Sequence, residues 1–242
     1  MRTSRLITAC AATAISALAL LAPAASAAPQ ADPPVSAGSR IVGGGQAANG
    51  FGAVRMIKNG RGWCSASIIA PTWVLTAKHC VGGAMSFRIG SLNQSSGGTV
   101  ANGTQVFTGS GDLALVRLDR AVSATYARLG QPGTVRAGSG AQVYGWGATR
   151  PGSQCNGGEA GCQSPTLKVA NVTVTGFDRD AAGGSAIAAR SGDGVASGGD
   201  SGGPMMVNGV QVGVASTSDR VSRMYYTDVT AYRPWIRSIT GV

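Results

Sequence analysis

From about residue 41 onward the chain alternates short apolar runs with Gly, Asn and Pro, and no run lasts long enough to be a long helix. Residues 67–69, 73–76, 87–89 and 113–118 are β-branched or apolar and bounded by turn formers, which predicts strands. A Gly- and Pro-containing stretch at 129–140 reads as a linker. A second set of strands is predicted at 142–145, 167–174, 205–207 and 210–215. Many short strands at this spacing suit a sandwich or a barrel, and their division into two groups predicts two β domains. The final segment, 230–239, differs: Tyr232, Trp235, Ile236 and Ile239 fall at helical spacing, predicting one terminal helix packed on the second domain. Pro234 disfavours helix at the residue before it, which bears on where this helix starts.

Composition strengthens the all-β reading. There are 38 glycines in 242 residues and only 12% charged residues, so turns have many formers and helices few. The first residues, Met-Arg-Thr-Ser-Arg, precede an apolar run through Leu21 and then Ala25-Ser26-Ala27, a small-x-small cleavage pattern. Residues 1–27 therefore read as a signal peptide cut after Ala27. The run is shorter than the ~20 residues a bilayer span needs and ends at Pro23, so no stable membrane anchor is expected. Residues 28–40, rich in Pro, Ala and Ser and ending in Arg40, read as a propeptide. The expected location is extracellular, which changes how the cysteines are read. Cys10 leaves with the signal peptide, and Cys64, Cys80, Cys155 and Cys162 remain in an oxidising compartment. Two disulfides are expected; several connectivities are open, and local pairing, Cys64 with Cys80 and Cys155 with Cys162, is the simplest. The formal charge of +10 becomes +8 once Arg2 and Arg5 are removed. Arginines are scattered singly from Arg55 to Arg237 with no basic run, which argues against nucleic acid as a partner. The excess charge suits steering towards anionic surfaces or acidic substrates.

The chain has one histidine, His79, at the end of Thr76-Ala77-Lys78-His79-Cys80. It follows a strand and adjoins a disulfide cysteine, so its position should be rigid. A lone histidine is more often structural than catalytic. Ser201, in Gly199-Asp200-Ser201-Gly202-Gly203-Pro204, changes the weighing. Consecutive glycines allow backbone N–H groups to converge on one point, the arrangement that stabilises a developing oxyanion beside a serine nucleophile. A bare Gly-Ser-Gly would read as a surface turn, but the longer run resists that explanation.

Ile41-Val42-Gly43-Gly44, the His79 segment, Asp112-Leu113-Ala114-Leu115, Gly145-Trp146-Gly147 and the Ser201 run occur in the order of trypsin-like serine proteases. Over roughly residues 41–240 the chain resembles that family, of the secreted bacterial type. The resemblance implies two six-stranded antiparallel β-barrels with a C-terminal α-helix and the active site in the cleft between barrels. On this reading the peptidase domain is 41–242, with an N-terminal barrel at about 41–130, a C-terminal barrel at about 138–230 and the helix at about 231–240. Ser201 matches the nucleophile, His79 the general base and Asp112 the orienting carboxylate, with Asp119 the weaker alternative for the last. The amides of Gly199 and Ser201 match the oxyanion hole, and Ser216 the serine that supports the carboxylate. Cutting after Arg40, by an activating protease, would free the amine of Ile41 to pair with Asp200. The implied partners are protein or peptide substrates, the implied state is a monomer, and the chemistry needs no cofactor and no metal.

The sequence also departs from the pattern. Val195 stands where trypsins keep an acid at the base of the specificity pocket, and Ser218 and Met224 stand where glycines often line it, implying a preference for small or aliphatic residues. Ser197 replaces a cysteine whose disulfide usually ties the pocket walls. A shifted loop would bring Asp193 into the pocket instead and keep cleavage after Arg or Lys open. A short segment between His79 and Asp112, with the one glutamate, Glu159, far from it, gives no strong calcium loop. Two other functions share the motifs: a catalytically silent binding protein that keeps the fold, and an esterase using the same triad.

Overall fold

The computed structural model describes residues 41–242. The signal peptide, the propeptide, Cys10 and Arg40 lie outside the described residues.

Two very short strands come first, β1 (Val42–Gly43) and β2 (Gly45–Gln46). The next six are β3 (Ala53–Lys58), β4 (Arg61–Ala70), β5 (Trp73–Thr76), β6 (Met85–Ile89), β7 (Thr99–Thr108) and β8 (Ala114–Leu118). They pair antiparallel and close into a barrel in the order β3-β4-β5-β8-β7-β6. The period-two pattern of a half-buried strand is plain in β6, where Met85, Phe87 and Ile89 point inward and the residues between them are half-exposed. Val54, Ile68, Leu75, Phe87 and Leu115 fill this barrel.

After the connection at 119–139 come β9 (Gly140–Gly145), β10 (Lys168–Arg179), β11 (Ser185–Ser191), β12 (Gly194–Val195), β13 (Pro204–Val207), β14 (Val210–Ser218) and β15 (Arg223–Asp228). All except β12 join one sheet, which the β10–β11 pairing closes into a second six-stranded barrel, with β2 added beside β10. Strand β12 instead pairs with β1, Val42 opposite Val195. Val143, Val172, Val174, Ile187 and Val212 are buried in this barrel. The expected two-barrel, all-β fold with a terminal helix is what the chain forms.

The expected strands are present, most of them longer than the apolar runs that announced them. The run at 67–69 is part of β4, and all of 167–174 except Leu167 lies in β10. Four barrel strands were not anticipated: β3, β7, β11 and β15. In β7, Thr-Val-Ala-Asn-Gly-Thr-Gln-Val-Phe-Thr, only Ala101 is fully buried, so backbone pairing with β6 and β8 forms the strand where apolar periodicity is too weak to announce it.

Helix α1 (Arg233–Thr240) has Pro234 in its first turn, where the missing N–H costs nothing, and Gly241 in the left-handed conformation closing its end. Its partner differs from the expectation. Ile236, together with Tyr232, Trp235 and Ile239, belongs to the apolar cluster of the first barrel. The helix therefore crosses back to the N-terminal barrel from the end of the second. The disulfides are Cys64–Cys80 and Cys155–Cys162.

Candidate active site

His79 sits in a single 3-10 turn, Lys78–Cys80, directly after β5. The Cys64–Cys80 bond ties that turn to β4, and Lys58 Nζ donates to the Cys80 carbonyl at 3.0 Å. Asp112 precedes β8 and is 2% exposed. Its Oδ1 accepts the His79 backbone N–H at 3.0 Å, and its Oδ2 lies 2.7 Å from His79 Nδ1. A carboxylate only accepts, so Nδ1 carries the proton and the neutral ring is left with an accepting Nε2. Ser216 Oγ also donates to Asp112 Oδ2, at 2.6 Å. Burial alone would raise the Asp112 carboxyl, but the hydrogen bonds from His79 and Ser216 outweigh it and hold the group below the usual carboxylate range.

A buried acid that the sequence reading overlooked supports this arrangement. Asp180 Oδ2 accepts the Asp112 backbone N–H at 2.8 Å and the Thr227 hydroxyl at 2.9 Å. Asp119, the alternative carboxylate, is instead paired with Arg120 and Asn102 at the surface.

Ser201 lies in the turn between β12 and β13, stitched to both barrels. Its carbonyl accepts Ser65 N–H from β4 at 2.8 Å, and Gly202 N–H donates to Ala215 of β14 at 2.8 Å. Gly202 has φ 80, and a Cβ there would fall 2.2 Å from Thr76 Oγ1 and 2.3 Å from the Ser65 carbonyl, so only glycine lets the turn sit this close to the first barrel. Gly198 points its carbonyl inward to Ala148 N–H at 2.9 Å; because the peptide is trans, the Gly199 N–H points the opposite way. Among the described residues, neither the Gly199 nor the Ser201 amide has a hydrogen-bond partner.

Asp200 is 2% exposed. Its carboxylate accepts Gly147 N–H at 2.7 Å and Ser197 N–H at 2.9 Å. Desolvation pushes its carboxyl up to about 6, against the pull of those two bonds and of nearby Arg55. Arg55 is itself fully buried, donating to the carbonyls of Gly199 and Cys64 and to Gln163 Oε1, and burial lowers it to about 10. Ile41, 1% exposed, belongs to the same apolar cluster as Val195 and Ala196.

His79 and Ser201 line one cavity of about 350 Å³, whose walls are residues 196–198 on one side and 215–218 with Arg220 on the other. Of the three residues assigned to the specificity pocket, Ser218 is in this lining and Val195 and Met224 are not. Val195 packs in the second barrel, and Met224 lies behind the wall with its sulfur accepting Ala196 N–H at 3.3 Å. Asp193 is not in the cavity either, because its carboxylate is turned to the backbone and side-chain N–H groups of Asn171. Glu159 comes to the cavity wall and had not been connected with it from sequence. It bonds Ser197 and Arg220, and the Arg220 hydrogen bond holds its carboxyl below the usual range. A cavity of about 340 Å³ at residues 49–53 of the first barrel holds no titratable side chain. Cys64, His79 and Cys80 bring three potential metal-binding atoms together, but both sulfurs are bonded to each other. No helix among the described residues is long and apolar enough to cross a membrane.

The family model described as Trypsin matches residues 41–236. Chymotrypsin-like elastase family member 1 of the dog, Canis lupus familiaris, is 30% identical over 240 residues, covering 83% of this chain and 92% of the relative. Brachyurin of Leptuca pugilator is 31% identical, covering 74% and 88%. A putative peptidase of Corynebacterium glutamicum is 31% identical, covering 74% of this chain and 64% of its own. Among solved structures, human heparin binding protein superimposes with a TM-score of 0.67 at 25% identity, covering 81% of this chain and 95% of that one.

Proposed function

The chain belongs to the trypsin family, and on that premise we propose that it is a secreted serine endopeptidase of bacterial type, made as a zymogen and acting on protein or peptide substrates. The observation that carries the reading is the chain of contacts Ser216–Asp112–His79 ending at a cavity shared with Ser201.

Ser201 Oγ attacks the peptide carbonyl while His79 Nε2 takes its proton. Asp112 fixes the tautomer and stabilises the imidazolium that forms. The unpartnered amides of Gly199 and Ser201 receive the oxyanion. His79 then returns the proton to the leaving amine, and water releases the acyl group by the same steps in reverse. The lining offers small and hydroxyl groups on both walls, which favours small or aliphatic residues before the scissile bond.

Activation follows from the buried Asp200. Its carboxylate gains stability from a positive partner, and the amine of Ile41, freed by a cut after Arg40, would supply one. If the enzyme prefers small residues, another protease must make that cut.

The likeness to a heparin binding protein, with the formal charge of +8 that remains once the signal peptide is removed, supports a second reading in which the fold serves recognition. An esterase with the same triad is the third. Profiling the protein, cut after Arg40, on peptides varied before the scissile bond separates these readings. The endopeptidase reading expects cleavage after small residues and a loss of about 10⁴-fold or more in kcat with Ser201→Ala. Binding to an anionic polymer with no hydrolysis of any peptide would support the second reading, and hydrolysis of esters alone the third.

A further inference from the structure

The two walls of the pocket come from distant parts of the chain, residues 196–198 before Ser201 and residues 215–220 after it. Neither described disulfide joins them. Glu159 does. Its Oε1 accepts Ser197 Oγ at 2.9 Å from one wall and Arg220 Nε at 2.5 Å from the other, and its Oε2 accepts Arg220 Nη2 at 3.0 Å. The carboxylate lies so close to Gly198 that a Cβ there would fall 2.3 Å from Oε2.

Both ends of this contact are presented by built structure. Glu159 stands in the 3-10 turn Gly158–Cys162, inside the loop closed by Cys155–Cys162, so its backbone is tethered independently of either wall. Arg220 has φ 58, a left-handed conformation uncommon for a residue with a Cβ. The turn holding it there is bonded internally, Arg220 N–H to Ser218 Oγ and the amides of residues 221–223 to Asp219 Oδ1.

We propose that Glu159 is a positioning residue that sets the width of the substrate pocket, clasping its walls through Ser197 and Arg220 where neither described disulfide reaches. The inference rests on the endopeptidase reading of the site. Glu159 touches no reacting atom, so its loss acts on substrate binding before it acts on the chemical step. The ion pair is partly exposed, 20% at Glu159 and 58% at Arg220, so it adds little to global stability. A large kinetic effect without a matching stability effect is therefore its signature.

Glu159→Gln keeps the shape and removes the charge. On a neutral peptide with a small residue before the scissile bond, KM should rise about tenfold with kcat within about twofold, the scale of one lost charge-assisted hydrogen bond. Salt on the order of 1 M should raise KM of the parent enzyme and leave that of the variant unchanged, since salt screens the ion pair only where it exists. If Glu159→Gln fails to fold, Arg220→Gln removes the same pair from its exposed side. An unchanged KM in an active, folded variant overturns the clasp and leaves the endopeptidase reading standing. If the parent cleaves no peptide, that reading fails by itself, and amide hydrogen exchange of residues 195–198 and 216–221 tests the clasp directly. Faster exchange in Glu159→Gln supports it, and equal exchange overturns it.

Discussion

Asp200 is enclosed so tightly that its neighbours are determined by subtraction. A Cβ on Gly145 would fall 2.1 Å from its Oδ1, and one on Gly147 would fall 2.3 Å from its Oδ2. The Gly-Trp-Gly motif is thus the mould of a carboxylate: the glycines make room, and Trp146, fully buried and donating to the Leu92 carbonyl at 2.9 Å, holds the loop in place. We expect Gly147→Ala to destabilise the protein by about 2 kcal/mol or more and to abolish activity, with Asp200 as the atom that must move; denaturant unfolding and a peptide assay on the purified variant check both. The proposed triad was legible in sequence because each member sits inside a short local motif. Glu159, Asp180 and Arg55 were not, because each acts by closing a long-range contact: Asp180 with Asp112, Arg55 with Gly199, Glu159 with Ser197 and Arg220. Nothing near Glu159 in the sequence distinguishes it from any polar residue in a Gly-rich loop.

Among the elements, β5 is read from sequence to the residue, since Trp-Val-Leu-Thr is a compact apolar run between Pro71-Thr72 and the His79 segment. Strands β7 and β11 escape such reading because barrel closure, not a continuous apolar face, pairs them with their neighbours. The same limit applies to α1. Its apolar spacing showed that it packs but not on what, and the choice of the first barrel depends on where the second one leaves its end. Residue 236 is the point of that contact. Ile236→Ala should cost about 2–5 kcal/mol, the range for truncating a fully buried aliphatic side chain. Because the helix spans to the other barrel, the loss should appear in a single unfolding transition followed by calorimetry. Separate melting of the two barrels would show that α1 does not couple them.

At the scale of the whole molecule, His79 and Asp112 belong to one barrel and Ser201 to the other, so the proposed chemistry exists only in the assembled pair. Cleavage after Arg40 is expected to act through the Ile41 amine it frees to pair with Asp200, and Arg40→Gln should yield an exported protein with little activity; full activity in that variant rejects the zymogen. The pH dependence of the uncut chain gives an independent check. In the fold the Asp200 carboxyl keeps its proton up to about 6, against an ordinary value of 3.8. Its contribution is therefore fully present below 3.8 and is lost as pH rises through about 6, a decline of about 3 kcal/mol. Asp112 and Glu159, both held below their ordinary values, have the opposite sign, but their contributions are complete above 3.8 and 4.5 respectively, so from 4.5 to about 6 the decline belongs to Asp200. Urea unfolding of uncut Ser201→Ala at intervals across this window should follow the decline, and Asp200→Asn should flatten it. The chain's one imidazole has a further use. In a proton magnetic resonance spectrum of the intact protein, the two carbon-bound ring signals of a single histidine come from His79 and from nowhere else. The arrival of an inhibitor, the titration of the ring and the effect of a cut after Arg40 can each be followed at the cleft itself, without isotopic labelling and without altering a residue.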